Sequence, residues 1–263
     1  MIRTLHESDF DEIHRAFVDA FSDYVVPMKP TAEMLREMFT RRGWVPELSC
    51  AVFDGDRIVA FTMNGFDAGA GYDTGTGVVP SHRRRGLARE TMDQSFALLR
   101  DAGAARYVLE VLEPNTAAAE LYRNLGFRET RRMDCYLLDS APRERVADEV
   151  RRVKANEDWW DIKPSWQNSA TSIARAKDEH ILIGDENGYA IVFPNTGDIP
   201  QLAVRPEARR RGIGTRLIET ASAIANKPLR FINVDTRDTG IAAFLAAHGA
   251  KRFIRQIEME RAL

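Results

Sequence analysis

The sequence predicts an α/β (α+β) protein made of two tandem copies of one domain type, and three observations carry that prediction. A stretch of eleven residues occurs twice, as Val78-Val79-Pro80-Ser81-His82-Arg83-Arg84-Arg85-Gly86-Leu87-Ala88 and as Val204-Arg205-Pro206-Glu207-Ala208-Arg209-Arg210-Arg211-Gly212-Ile213-Gly214. In each copy a strand-like run stops at a proline, and a basic turn containing glycine then opens an amphipathic segment. The copies stand 126 residues apart in a chain of 263, which divides it into two domains, each long enough for its own core. Strand, turn and helix in that order make an anion site, because free N–H groups at a helix start point outward with the positive end of the helix dipole behind them. A phosphate-bearing ligand is the first expectation for each copy.

Composition bounds the rest. Apolar residues make up 44% and charged residues 29%, with a formal charge of −2, the profile of a soluble globular protein rather than a disordered or strongly basic one. Wholesale nucleic-acid binding is not implied. The first ten residues carry Glu7 and Asp9 and no apolar run, and no uncharged stretch is long enough to span a bilayer, so a cytoplasmic protein with no membrane role is expected. Cys50 and Cys135 lie in separate strand-like segments without metal-type spacing. Buried, inert thiols and no metal are expected.

In the first half, Ser8 and Asp9 are placed to cap a helix carrying Phe10, Ile13, Phe17 and Phe21, and residues 31–41 form a second with Met34, Leu35, Met38 and Phe39. Residues 50–53 and 58–61 read as a hairpin around Asp54-Gly55, and the Gly-rich residues 67–76 as a loop entering a strand that ends at Val78-Val79. A helix with Leu87, Met92, Phe96 and Leu99 follows, then a strand over 107–112. A helix capped by Asn115 and stopped by Gly126 comes next, and residues 135–138 form the last strand of this half.

These residues resemble the Gcn5-related N-acetyltransferase (GNAT) superfamily. Arg83-Arg84-Arg85-Gly86-Leu87-Ala88 is similar to its [Q/R]-x-x-G-x-[G/A] pyrophosphate loop. Leu109-Glu110-Val111, Asn115, Ala118, Leu121-Tyr122 and Gly126-Phe127 are similar to its later L-x-V and N-x-x-A-x-x-L-Y-x-x-x-G-F stretch. The close match covers about residues 77–127. The resemblance implies two GNAT-type domains, each a mixed, mostly antiparallel sheet flanked by helices, with splayed central strands. It implies acetyl-CoA as cosubstrate, with Val78, Val79, Arg84, Arg85, Gly86, Leu87, Ala88, Arg89 and Asn115 as its contacts and the backbone N–H groups of Arg84 to Arg89 around the pyrophosphate. Gly86 and Ala88 keep the backbone open to such an approach.

An amine is protonated near neutral pH, so a carboxylate has a proton to remove, and the departing thiolate is stabilised by a proton from a phenol. The ribosomal-protein N-terminal acetyltransferases of the superfamily use the Glu of L-E-V and the Tyr of L-Y in these roles. Glu110 and Tyr122 stand at the same spacing, which makes them the catalytic candidates, with a backbone N–H near Val79 as the donor to the carbonyl. By pattern alone Glu110, on one strand face with Val108 and Leu112, fits a solvated edge carboxylate equally well, and Tyr122 fits a core aromatic. The motif context moves both toward function. Asn115 is a helix cap first, and His82 a surface residue.

Residues 141–164 are read as a charged linker or helix with Val146, Val150 and Val153 weakly periodic, between a catalytic domain at 1–140 and a second, shortened domain at 165–263. Trp159, Trp160 and Trp166 suit an interdomain or homodimer contact, or an acceptor-pocket wall. The second half repeats hairpin, strand, loop and helix, with Val204, Arg210, Arg211, Gly212, Ile213, Gly214 and Thr215 as the corresponding cofactor contacts. Beyond the loop the copies diverge: aligning Gly249 with Gly126 sets Asn233 against Glu110, Asp238 against Asn115 and Leu245 against Tyr122. This half is expected to be a structural or regulatory copy rather than a second catalytic site using Asp235 or water.

The function expected is acetyl-CoA-dependent transfer to a primary amine by direct attack, with an acetyl-CoA-binding regulatory or scaffold protein as the alternative. Phe21, Asp23, Tyr24, Trp44, Tyr72 and Asp73 fall in segments expected to frame the acceptor, a small-molecule amine or a protein N-terminus.

Overall fold

The computed structural model describes residues 1–26, 28–139, 154–177, 179–225 and 227–263. The helix expected around Val146, Val150 and Val153 lies outside the described residues. Two compact units divide the chain. The first comprises residues 1–130, 174–177 and 257–263, the second residues 131–173 and 178–256.

In the first unit the elements run β1 (Ile2–Thr4), α1 (Phe10–Ala20), α2 (Ala32–Arg42), β2 (Cys50–Asp54), β3 (Arg57–Asp67), β4 (Ala70–Val78), α3 (Leu87–Asp101), β5 (Arg106–Leu112) and α4 (Thr116–Asn124). Helix α1 buries Phe10, Ile13, Ala16, Phe17 and Ala20 at helical spacing, packed with Leu35 and Phe39 of α2 against Ala51, Phe61 and Met63 of the sheet. The Thr31 hydroxyl caps α2 by accepting from the Met34 N–H at 3.2 Å. Gly43, at φ +78°, ends it. Asp9 precedes α1, but its carboxylate accepts from the His6 N–H and from Arg3 instead of capping that helix. Helices α3 and α4 form a separate core with β5: Met92, Phe96 and Leu99 meet Tyr107, Leu109, Val111, Ala119, Tyr122, Leu125 and Phe127.

Two sequence expectations change here. Residues 67–76 are not a loop: β3 runs to Asp67 and β4 starts at Ala70, paired from Asp67↔Ala70 to Ala60↔Val78. The glycines serve close packing, since a Cβ on Gly71 would lie 2.6 Å from a Leu99 methyl and one on Gly77 would lie 2.6 Å from the Phe61 ring. The last strand of this unit is not 135–138 either. The chain's final strand, β11 (Lys251–Ala262), supplies it from residue 257 onward, and Ile257 and Met259 are buried beside Leu109 and Phe127. Arg106 pairs with Glu260 at 2.6 Å, and the Leu263 N–H donates to the Ala105 carbonyl.

The second unit takes strand β6 (Arg128–Leu138) from residue 131 onward. It continues with α5 (Ala170–Arg175) as far as residue 173, β7 (Ile181–Asp185), β8 (Gly188–Phe193), β9 (Asp198–Val204), α6 (Ile213–Ala225), β10 (Leu229–Asp235) and α7 (Thr239–Ala247), in sheet order β6-β10-β9-β8-β7. The first unit's core therefore takes in residues 257–263 from the far end of the sequence, and the second unit's core takes in Tyr136 and Leu138 of β6. Local patterning specifies that a strand exists, not which sheet receives it. Cys50 and Cys135 are both buried, and burial pushes the Cys50 thiol up to about 11. Among the described residues no helix is long and apolar enough to cross a membrane.

Candidate active site

The repeated loops adopt one conformation. Each begins with a short 3₁₀ turn, Pro80–His82 or Pro206–Ala208, and each has its second arginine and its glycine at positive φ: Arg84 +65° and Gly86 +79°, Arg210 +62° and Gly212 +79°. Alternation of these backbone states before a helix start turns successive N–H groups toward one point. Nothing lies within 4 Å of where a Cβ on Gly86 would sit, so the ground in front of the α3 N-terminus is open. The first arginine of each triplet serves as a strut. Arg83 makes a bidentate pair with Asp23 at 2.6 and 2.7 Å and donates to the carbonyls of Ala20 and Val78. Arg209 repeats this with Asp161, Trp159 and Val204. The other arginines beside the first loop are Arg84, Arg85, which donates to the Ser81 carbonyl at 3.2 Å, and Arg89 in the first turn of α3; Arg210 and Arg211 stand beside the second.

Behind the first loop the sheet opens. Strands β4 and β5 are parallel and pair only at Ala70↔Arg106, Gly71↔Tyr107 and Tyr72↔Val108, although β4 continues to Val78 and β5 to Leu112. The gap left by the unpaired strand ends, from Asp73 to the loop, is the candidate cleft. Tyr107, Leu109 and Val111 point into the α3/α4 core, so alternation aims Glu110 at the opposite face, where it meets Tyr72. Burial first, and the Glu110 charge next, push the Tyr72 phenol well up. Tyr122 reaches the cleft from the α3/α4 face, its ring packed on Phe127 at 5.8 Å. The two sequence-predicted catalytic residues thus lie on opposite faces of one gap. Asn115 caps α4, accepting from the Ala118 N–H at 3.2 Å, and its side chain also meets the Tyr24 phenol. Val78 ends β4 and Val79 is buried. The Val79 N–H is not open to a carbonyl, because it donates to the Val59 carbonyl at 3.0 Å.

Asp73 is the residue that sequence reasoning misplaced. Expected in an acceptor-framing loop, it sits on β4, 8% exposed, as does buried Tyr72. Its Oδ1 accepts from the Gly75 N–H and its Oδ2 from the Thr76 hydroxyl, both at 2.8 Å, and the Tyr122 hydroxyl donates to Oδ2 at 3.5 Å. A β-bulge aims it there: the β3 partners step from Gly75 to Asp73 between Met63 and Asn64, so Thr74 is the extra residue. A Cβ on Gly75 would face Phe17 of α1, whereas Asp73 faces α4. Of the other expected acceptor residues, Phe21 packs on Phe17 with the rings tilted and 4.5 Å apart, Trp44 packs on Phe39 at 5.4 Å, and Asp23 is held by Arg83. Tyr24 alone of these four reaches the cleft.

Burial pushes the Asp73 carboxyl up to about 6, against the opposing hydrogen bonds of Thr76 and Gly75, the charge of Arg42 and the bond from Tyr122. A carboxyl that holds its proton more tightly folded than unfolded contributes stability below about pH 4, and loses it as the pH rises through about 6. Asp73→Asn is therefore expected to stabilise the protein at pH 7 by ~3 kcal/mol and to change little at pH 4. Chemical denaturation at the two pH values checks this, and an equal effect at both would contradict it.

The second unit repeats the opening with different side chains. Strands β9 and β10 pair in parallel only at Asp198↔Arg230. Asn233 is buried at φ +61°, donating to the Ser165 hydroxyl at 3.1 Å and accepting from Gln256 at 2.8 Å. Asn168 bridges the two strands, accepting through its carbonyl from Gln201 and donating through its amide to the Ile232 carbonyl. Leu245 is fully buried in the core, and Asp238 caps α7 through the Ile241 N–H. Asp235 is buried, yet the hydrogen bonds and charge of Arg237 hold its carboxyl below the usual range, which suits an ion pair rather than a base. The tryptophans pack inside this unit: Trp160 donates to the Tyr189 hydroxyl at 2.7 Å, and Trp159 lies 6.0 Å from the Tyr189 ring. Among the described residues no group of three or more His, Cys, Asp or Glu is placed to hold a metal ion.

Comparison with known proteins agrees with this geometry. Residues 10–127 match the model of the acetyltransferase (GNAT) family, and residues 168–255 match that of an acetyltransferase (GNAT) domain. Three solved structures superpose on all of the chain. A Pyrococcus horikoshii protein assigned as an acetyltransferase is 16% identical over 100% of this chain and 89% of its own, with a TM-score of 0.75. A GCN5-related N-acetyltransferase from Sphaerobacter thermophilus is 16% identical over 100% and 95%, at 0.73. A tandem GNAT protein from the clavulanic acid biosynthesis pathway is 17% identical over 100% and 98%, at 0.68. At these identities the likeness is one of fold.

Proposed function

Because the chain belongs to the GNAT acetyltransferase family, which uses acetyl-CoA, we propose that its first unit carries out the transfer, moving the acetyl group to a primary amine by direct attack. The observation that carries this reading is the cleft between β4 and β5, with Glu110 on one face, Tyr122 on the other and an open anion loop at its end. Backbone N–H groups from Arg84 to Arg89 hold the pyrophosphate, Arg84, Arg85 and Arg89 add charge, and Gly86, Leu87 and Ala88 bring the α3 N-terminus close. Val78, Val79 and Asn115 line the path to the cleft. Glu110 takes the proton that keeps the arriving amine from attacking. Tyr122, neutral because burial and the nearby Asp73 charge push its phenol well up, gives a proton to the departing thiolate. The acceptor is a small-molecule amine or a protein N-terminus.

The second unit is read as an acetyl-CoA-binding copy without turnover. Val204, Arg210, Arg211, Gly212, Ile213, Gly214 and Thr215 repeat the loop, while Asn233 and Leu245 stand where the base and acid would be. The test is an acetyl-CoA consumption screen against a polyamine, an aminoglycoside, an amino acid and a peptide N-terminus, run with wild type, Glu110→Gln, Gly86→Val and Gly212→Val. Glu110→Gln is expected to lower kcat ~10²-fold with acetyl-CoA affinity unchanged. Gly86→Val, a β-branched residue at φ +79°, is expected to weaken acetyl-CoA binding at the reacting site by roughly tenfold, a cost of 1–2 kcal/mol. Gly212→Val is expected to spare turnover. A turnover loss in Gly212→Val matching that in Gly86→Val would move the site, and no turnover of any amine by wild type would favour a binding protein.

A further inference from the structure

Glu110 and Tyr122 leave one buried carboxylate of the cleft without a role. Asp73 is the first β4 residue past the last β4–β5 pair, and the bulge at Thr74 turns it from the α1 face to the α4 face. There its Oδ2 accepts from Tyr122, while Thr76 and the Gly75 N–H fix the carboxylate plane. A phenol that donates to thiolate inside this pocket becomes a phenolate, 7% exposed, beside a carboxylate. Two adjacent buried anions are costly, and the cost disappears if the carboxylate carries a proton at that moment.

We propose that Asp73 recharges Tyr122, accepting the proton that the acceptor nitrogen loses as its bond to the acetyl carbon forms and passing it to the phenolic oxygen. This rests on Tyr122 being the acid of the reaction. The balance is complete. Glu110 takes the first proton, from the ammonium. The N–C bond forms and nitrogen gives a second proton to Asp73, the C–S bond breaks, Tyr122 protonates sulfur, Asp73 restores the phenol, and Glu110 releases its proton to solvent. Asp73 begins and ends each cycle as the carboxylate that accepts from Tyr122 in the structure. The groups around it suit a carrier. Arg42 of α2 is the cation acting on it, and Tyr24 beyond α1, Tyr72 on its own strand, Tyr107 of β5 and Tyr122 of α4 are neutral phenols near it. Glu110 is the other carboxylate of the cleft, on the far face beside Tyr72.

The experiment measures thiol release with the fastest amine of the screen for wild type, Asp73→Asn, Asp73→Glu, Tyr122→Phe and the double variant Asp73→Asn/Tyr122→Phe, from pH 5 to 8, with acetyl-CoA affinity by calorimetry. Asp73→Asn is expected to bind acetyl-CoA within about threefold of wild type, to lose ~30-fold or more in kcat and to lose the acid limb near pH 6. Asp73→Glu recovers part of the rate. The double variant loses less than the product of the two single losses, since the proton that Asp73 takes leaves through the phenol. Wild-type kcat in Asp73→Asn, a retained acid limb, or multiplied losses in the double variant would overturn the relay while leaving the site intact. Undiminished turnover in Tyr122→Phe would overturn both the relay and the site it rests on.

Discussion

Deleting residues 257–263 abolishes acetyl transfer in the expected result, although every residue assigned to the reaction lies before position 130. The segment closes the core of the first unit: Ile257 is 3% exposed and Met259 fully buried, and both pack with α3, α4 and β5. Each large buried aliphatic side chain lost costs ~2–5 kcal/mol, so two of them and their strand pairing remove roughly as much as a whole domain holds in reserve. The same core seats Tyr122. Circular dichroism and thiol release on the shortened chain check this, with Ile257→Asp as a single-site version. A shortened chain that melts and turns over like wild type would refute the assignment of this strand. The GNAT-domain match ends at residue 255, so a domain trimmed to that match would lack the segment.

Tyr122→Phe carries the second large effect. The ring contributes to packing and the hydroxyl to chemistry, and phenylalanine keeps the first: the contact with Phe127 and the buried place on α4 need no oxygen. What leaves is the donor that points into the cleft at Asp73. Loss of a positioned acid lowers rates ~10²–10⁴-fold, and that fall is expected in kcat while acetyl-CoA affinity stays within about threefold, because the loop and Asn115 are untouched. Steady-state thiol release with calorimetry separates the two. A kcat within threefold of wild type would show that another group protonates the thiolate. Leu245, buried at the corresponding place in the second unit, explains why no matching loss is expected there.

How much of this was legible in the sequence depended on range. The loops, the Asn115 and Asp238 caps and the Glu110–Tyr122 spacing are local, and the structure places each within one turn or one strand of its neighbours. The divergence at Asn233 and Leu245 was legible for the same reason, because alignment needs no third dimension. Asp73 was not. Its role depends on a bulge one residue long that reverses which face it presents, and alternation counted along β4 from Gly75 assigns it to the α1 face. The glycines at 71, 75 and 77 read as a loop because composition does not distinguish flexibility from close approach to Leu99, Phe17 and Phe61. The first arginine of each triplet carried a similar ambiguity: by charge it belongs with the anion site, and by geometry it braces the loop through Asp23 or Asp161.

The late place of residues 257–263 in the sequence also bears on how the protein is made. A ribosome that has emitted residue 130 has produced the loop, Glu110 and Tyr122, but not the strand that completes their core. Residues 257–263 follow after the second unit, on the order of ten seconds later at ordinary elongation rates. For that interval the apolar surface of α3, α4 and β5 that will cover Ile257 and Met259 is open, a target for chaperones and a source of aggregation if elongation stalls. Completion of the core that seats Glu110 and Tyr122 is therefore coupled to synthesis of the second unit.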